Sequence, residues 1–102
     1  MSYKVGVIGA AGYAGAELVR LLLQHPEFDL TVITSNADAG TALADAYPAF
    51  AGASDLAFTT HDDPAVRECD LVFLAVPHTA AMSQVPALLD AGVTVVDLSA
   101  DY

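Results

Sequence analysis

Near the start of the chain, the run VGVIGAAGYAGAEL carries three glycines, Gly9, Gly12 and Gly15, at an even spacing of three. Tyr3 to Ile8, before them, reads as a strand. After them Ala14, Leu18, Leu21 and Leu22 fall at i, i+4, i+7 and i+8, one face of a helix expected from Ala14 to Gln24. A strand that turns through glycines straight into a helix is the first half of a β–α–β unit. Its second strand must return parallel to the first through a right-handed crossover. This feature narrows the possible folds more than any other in the sequence.

The rest of the chain continues the alternation. His25 and Pro26 stop the helix, because proline lacks the backbone donor that the next turn needs. Asp29 to Thr34, DLTVIT, is rich in β-branched residues and is expected as the second strand. Residues 35–54 have little periodicity and predict only a short helical turn over Thr41 to Ala46. Leu56 to Thr60 is the expected third strand. Asp63 followed by Pro64 joins a capping carboxylate to a proline at the first helical position, so Pro64 to Glu68 is expected as a short helix. Leu71 to Val76, LVFLAV, is apolar on both faces, as a parallel strand covered on both sides must be. Thr79 to Ala91 is an expected helix, kinked or restarted at Pro86 and closed by Gly92, and Val93 to Leu98 is the fifth strand. This pattern predicts a single α/β domain over residues 1–102, a doubly wound parallel sheet of Rossmann-like type with strand order 3-2-1-4-5. At 102 residues and 55% hydrophobic, the chain has ample apolar material for such a core. The sequence ends at DLSADY, only a few residues past the fifth strand and at the end of the sheet where ligands bind in this fold. The expectation is therefore a fragment of a longer protein whose catalytic domain is absent.

In such a sheet the glycine-rich junction has a defined use. The first glycine permits the tight turn, the second lets the backbone approach a pyrophosphate, and the third lets helix pack closely on strand. Gly6, inside the strand, is expected to be a packing residue. Thirteen acidic against three basic residues give a net charge of −10, which disfavours nucleic acid and anionic lipid as partners. Lys4, Arg20 and Arg67 are scattered, so a bound phosphate is expected to be held by backbone N–H groups and the helix dipole. The loop from Gly9 through Ala11, Gly12, Tyr13 and Ala14 to Gly15 is thus the expected dinucleotide site. No apolar run is long enough to cross a membrane and no signal peptide is recognisable, so a cytoplasmic protein is expected. The single cysteine, Cys69, allows no intrachain disulfide, and no cluster has metal-ligand spacing.

NAD-selective sheets place an acid at the end of the second strand to meet the ribose 2′-hydroxyl. Asp29 lies at the wrong end of that strand and Asp38 lies beyond it. Thr34, Ser35 and Asn36 offer neutral donors that tolerate a 2′-phosphate, which favours NADP, although these residue types are equally at home as the start of a loop.

GAAGYAGAEL, LLLQHPEFDL, YPAFAG, LVFLAVPHTAAM and LSADY together resemble the N-acetyl-γ-glutamyl-phosphate reductases of arginine biosynthesis, over nearly the whole chain. The aspartate-semialdehyde dehydrogenases share the glycine spacing but less of the other wording. The resemblance implies an NADP-dependent oxidoreductase, a homo-oligomer at full length. It would reduce a small-molecule acyl phosphate to a semialdehyde through a cysteine thioester and hydride transfer. It also implies that the nucleophile lies outside this chain, so no catalytic residue is assigned here and the fragment alone is expected to be inactive. Val76, Pro77 and His78 would stand beside the nicotinamide half of the cofactor. The family often carries Ser-Arg after the second strand where this chain has Ser35-Asn36, and the arginine that could meet a 2′-phosphate is missing. A non-catalytic nucleotide-sensing module is the alternative of a different class.

Overall fold

The computed structural model describes residues 3–10, 13–50, 52, 55–76 and 85–98. Five parallel strands form one sheet: β1 (Tyr3–Ile8), β2 (Phe28–Thr34), β3 (Phe58–Thr59), β4 (Leu71–Leu74) and β5 (Thr94–Asp97), in the order β3-β2-β1-β4-β5. This is the expected topology. Helix α1 (Tyr13–Leu23) joins β1 to β2, and α2 (Leu43–Ala46) precedes β3. Residues 85–90 form a helix, α3, that leads into β5.

Alternation along the strands divides the core in two. Val5 and Val7 of β1 pack with Val19 and Leu22 of α1, with Leu30 and Ile33 of β2, and with Leu43 and Phe58. Ile8 faces the other way, with Val72 and Leu74 of β4, Val66, and Leu88 of α3. Each strand of the centre is therefore covered on both sides, which is why β4 is written as an unbroken apolar run. Between Val5 and Gly6 the β1–β2 register shifts by one residue, with Val5 opposite Leu30 and Gly6 opposite Val32. Gly6 allows the close approach there, since an added Cβ would lie 2.7 Å from Val32 Cγ1.

Several elements are shorter or tighter than expected, each for a local reason. Strand β3 has two residues because the chain ahead of it is already engaged. Ala57 bridges Ala42 in antiparallel fashion, and the Leu56 carbonyl accepts from the Leu43 N–H. The expected strand through Val76 stops at Leu74, although the Ala75 N–H still reaches the Ile8 carbonyl at 2.8 Å; the chain bends at Val76. Val93 is taken out of β5 by the end of α3. Its N–H bonds the Leu88 carbonyl and the Gly92 N–H bonds the Leu89 carbonyl, with Gly92 at φ +81°, the paired bonds of a Schellman ending. The expected kink at Pro86 and the first part of that helix involve residues 79–84, which lie outside the described residues.

The segment Pro64–Glu68 winds as a 3-10 helix, and the Asp63 carboxylate accepts from the Ala65 N–H at 2.9 Å, as the Asp-Pro pair predicts. Asp63→Ala is expected to lower the unfolding free energy in urea by about 1 kcal/mol, the usual effect of losing such a cap. Among the described residues no helix is long and apolar enough to cross a membrane.

Candidate functional site

The carboxyl ends of the strands come level at one edge of the sheet. Ile8 is opposite both Thr34 and Leu74, Thr34 is opposite Thr59, and Leu74 is opposite Asp97. From this edge β1 connects to β2 over the face that carries α1, whereas β4 connects to β5 over the face that carries α3. The direction of winding thus reverses between β1 and β4, and the crevice outside that switch point is where open α/β sheets bind ligands.

Gly9 stands at that point with φ +89°, a backbone conformation that side chains other than glycine's rarely adopt. A Cβ placed on it would lie 2.5 Å from Val76 Cγ1 and 2.9 Å from the Ala75 carbonyl oxygen, so the turn is pressed against the end of β4. Two hydrogen bonds hold it on the other side: the Gly9 and Ala10 N–H groups donate to the Thr34 carbonyl at 3.1 and 2.9 Å. Gly15 meets the same turn from α1. An added Cβ there would collide with the Gly9 carbonyl oxygen and come within 2.8 Å of Ala10 Cα. First and third glycine therefore do what the spacing predicts, sharp reversal and helix-to-strand contact. Both positions are thus reserved for glycine by the close packing of the turn against the end of β4 and of α1 against the turn, which brings the start of a helix up to the switch point, as a ligand held by amides requires. Ala11 and Gly12 lie outside the described residues, as do Pro77 and His78. Tyr13 and Ala14 are the first residues of α1, and their side chains are likewise outside the described set.

The remaining predicted site residues have inward-facing roles. Thr34 is fully buried, with its hydroxyl 2.6 Å from His61 Nδ1 and 3.3 Å from the Gly9 nitrogen. It organises the turn from below, with its hydroxyl engaged by His61 and Gly9 rather than open to solvent. Ser35 is also buried and donates its hydroxyl proton to the Asp38 carboxylate at 2.9 Å, leaving lone pairs and a carboxylate at the end of β2. Val76, expected beside the nicotinamide, is buried in the α3-side core and forms the wall against which Gly9 is pressed.

His61 also stands at this site, although no sequence motif marks it. It follows the third strand at the same edge of the sheet as Gly9, and that position was the available signal. Its own N–H donates to Asn36 Oδ1 at 2.9 Å, in addition to the Thr34 contact. Removal from water pushes its imidazole below the ordinary pKa, against a weaker opposite pull from Asp62. Between the folded and unfolded values the unfolded chain binds more protons. Stability is therefore complete above the unfolded value of about 6.5 and declines as pH falls through it towards the folded value. Urea titrations from about pH 8 down to about pH 5 are expected to show this decline and to lose that component in His61→Asn.

Cys69 ends the 3-10 segment ahead of β4, at the opposite edge of the sheet. It is buried, bonded to the Ala65 carbonyl at 3.5 Å and near the Thr31 hydroxyl at 3.7 Å, and burial pushes its thiol pKa up. A thiol raised and enclosed in this way is a poor nucleophile. Native protein is expected to resist a water-soluble thiol reagent that labels the urea-unfolded chain at once. His25 is also local in its use: Nδ1 accepts from the Glu27 N–H at 3.1 Å and the ring stacks on Phe28 at a centroid distance of 4.2 Å. A hollow of about 400 Å³ lined by Tyr3, Phe28, Asp70, Leu71 and Thr94 opens at the amino ends of the strands, since four of these residues begin β1, β2, β4 and β5. It is remote from the switch point. Among the described residues no group of three His, Cys, Asp or Glu side chains is placed to hold a metal.

Residues 4–102 match the family model of the semialdehyde dehydrogenase NAD-binding domain. The chain belongs to that family. Two similar relatives of this semialdehyde dehydrogenase domain are N-acetyl-gamma-glutamyl-phosphate reductases, from Herminiimonas arsenicoxydans at 50% identity and from Janthinobacterium sp. (strain Marseille) at 52%. Each match covers 97% of this chain and 29% of the relative. A similar solved structure is aspartate semialdehyde dehydrogenase with NADP from Candida albicans, at a TM-score of 0.80 and 28% identity, covering 95% of this chain and 29% of that one. The domain thus spans under a third of the length of the proteins that it resembles, and its fold is that of the Rossmann-type dehydrogenases.

Proposed function

We propose that this domain is the NADP(H)-binding part of an N-acetyl-γ-glutamyl-phosphate reductase, a cytoplasmic oxidoreductase that converts an acyl phosphate to a semialdehyde. The observation that carries the reading is the Gly9 turn. A positive-φ glycine at the switch point, pressed on Val76 and met by Gly15 of α1, brings a helix start close to the end of β1, the arrangement that supports an anion held by backbone amides. When bound, the dinucleotide supplies a hydride for the acyl carbon. The chain's own residues bind and orient. Gly9 to Gly15 would cradle the diphosphate, Ser35 would stand on the adenosine-ribose side, and Pro77 and His78 would line the nicotinamide approach beyond the Val76 wall.

Lys4 is the second residue of β1, at the far edge, Arg67 lies in the segment leading to β4, and Arg20 is paired with Glu17 on α1. Any discrimination for the 2′-phosphate would thus fall to the neutral residues Ser35 and Asn36 after β2. The thioester-forming cysteine would lie outside residues 1–102, since Cys69 is enclosed, and the complete enzyme would be a homo-oligomer. An aspartate-semialdehyde dehydrogenase is the second reading, supported by the Candida albicans structure. The first is preferred because identity reaches about half against the curated reductases and 28% against that structure.

Isothermal calorimetry of the 102-residue chain with NADPH tests the binding part of this reading. Saturable one-site binding is expected, and absence of heat at millimolar ligand would end it. For the substrate, the full-length enzyme should reduce N-acetyl-γ-glutamyl phosphate in preference to aspartyl phosphate; the reverse preference would select the second reading.

A further inference from the structure

His61 is joined to two segments of the candidate site. Its Nδ1 lies 2.6 Å from Thr34 Oγ1, and that same oxygen lies 3.3 Å from the Gly9 nitrogen. Its backbone N–H holds Asn36 Oδ1 at 2.9 Å, which ties down the loop that follows β2. Thr34 is fully buried, so water is not at hand to replace a lost partner. A threonine hydroxyl has one proton to give and two lone pairs to receive with. If its oxygen receives the Gly9 N–H, its proton must find an acceptor, and the imidazole nitrogen at 2.6 Å is that acceptor. The arrangement needs the neutral imidazole with its proton on Nε2. A proton on Nδ1 would point two donors at one oxygen and leave the hydroxyl proton unsatisfied in a buried place, a costly outcome.

We propose that His61 is a positioning residue for the glycine turn: by accepting the Thr34 hydroxyl proton at Nδ1, it aims the Thr34 oxygen at the Gly9 amide and so sets the entrance of the phosphate cradle. The role in cofactor binding rests on the reading of that turn as the dinucleotide site; the role in placing Gly9 does not. The adjacent charged group acting on His61 is Asp62, and its contacts from β2 and the following loop, Thr34 and Asn36, are neutral. The folded environment thus favours the neutral ring; the tautomer follows from the Thr34 contact.

The test uses the 102-residue chain, with His61→Leu to remove the acceptor and His61→Asn to restore one, since Asn Oδ1 can take the place of Nδ1. In the unsubstituted chain, long-range proton–nitrogen NMR near neutral pH should show Nδ1 bare and Nε2 protonated. His61→Leu should shift the Gly9 and Ala10 amide signals while the amides of α3 stay in place. It should also weaken NADPH binding by about tenfold, with His61→Asn returning to within about twofold. A proton on Nδ1, or a folded His61→Leu chain with unmoved Gly9 and Ala10 signals, would overturn the proposal. So would a loss of affinity that His61→Asn fails to restore. If the unsubstituted chain binds no NADPH, the functional reading fails, while the tautomer and amide shifts still decide whether His61 places Gly9.

Discussion

Gly9→Ala is expected to cripple the candidate site and to weaken the fold together. The φ of +89° costs an L-residue roughly 1–2 kcal/mol. The new methyl group would stand 2.5 Å from Val76 Cγ1 and 2.9 Å from the Ala75 oxygen, an overpacking of roughly 1–3 kcal/mol more. The sum is a loss of about 2–5 kcal/mol, against a total of about 5–15 kcal/mol for a domain of ordinary stability. Neither neighbour yields easily, because Ala75 is backbone hydrogen-bonded to β1 and Val76 is buried. The turn must therefore move, and with it the amides that would face the diphosphate. NADPH affinity should fall by at least about tenfold, equivalent to ~1.4 kcal/mol, in protein still folded at low temperature. Urea unfolding and calorimetry check the two parts separately. A variant with unchanged stability and unchanged affinity would show that the strain is absent.

Phe58→Ala is expected to have the largest effect on stability alone. Phe58 is 1% exposed and packs in the α1-side core at the end of the sheet. It belongs to a two-residue strand, so little ladder bonding holds β3 if its side chain is lost. Truncating a buried phenylalanine costs about 3–5 kcal/mol, lost transfer energy plus the cavity left behind. At roughly 4–8 °C per kcal/mol for a domain of this size, the melting temperature should drop by well over 10 °C. Because Thr59 gives its carbonyl to the Ser35 N–H and Thr34 faces Thr59, the loop that would meet the adenosine ribose should loosen as well. A drop of only a degree or two would mean that β3 is dispensable to the core.

The sheet order was readable because its signals are local and redundant. Each strand carries β-branched or continuous apolar residues, and right-handed connection leaves few topologies. Gly9 and Gly15 were readable for a related reason: a missing side chain at a strand–helix junction has few other physical uses. What stayed hidden depends on contacts distant in sequence. Strand β3 shrank because Leu56 and Ala57 pair with the 41–43 segment, and nothing local in LAFTT announces that pairing. A threonine at a strand end presents a hydroxyl that a ligand could use, and nothing local shows that Thr34 is buried. Its burial follows from His61, 27 residues away, closing over its hydroxyl. Conversely His61 acquires its neighbours only when β3 is laid beside β2. Ser35 shows the same limit, since its proton is already committed to Asp38.

The central claim is that the backbone amides between Gly9 and Gly15 bind the diphosphate of a nicotinamide dinucleotide. Its most direct test is an amide NMR titration of the 102-residue chain with NADPH to saturation. Gly9, Ala10 and Gly15 should move together along one binding curve, while residues at the amino ends of the strands, such as Phe28 and Thr94, stay fixed. If NADPH left those three signals unmoved, or shifted only residues lining the hollow at the opposite edge, the claim would be contradicted.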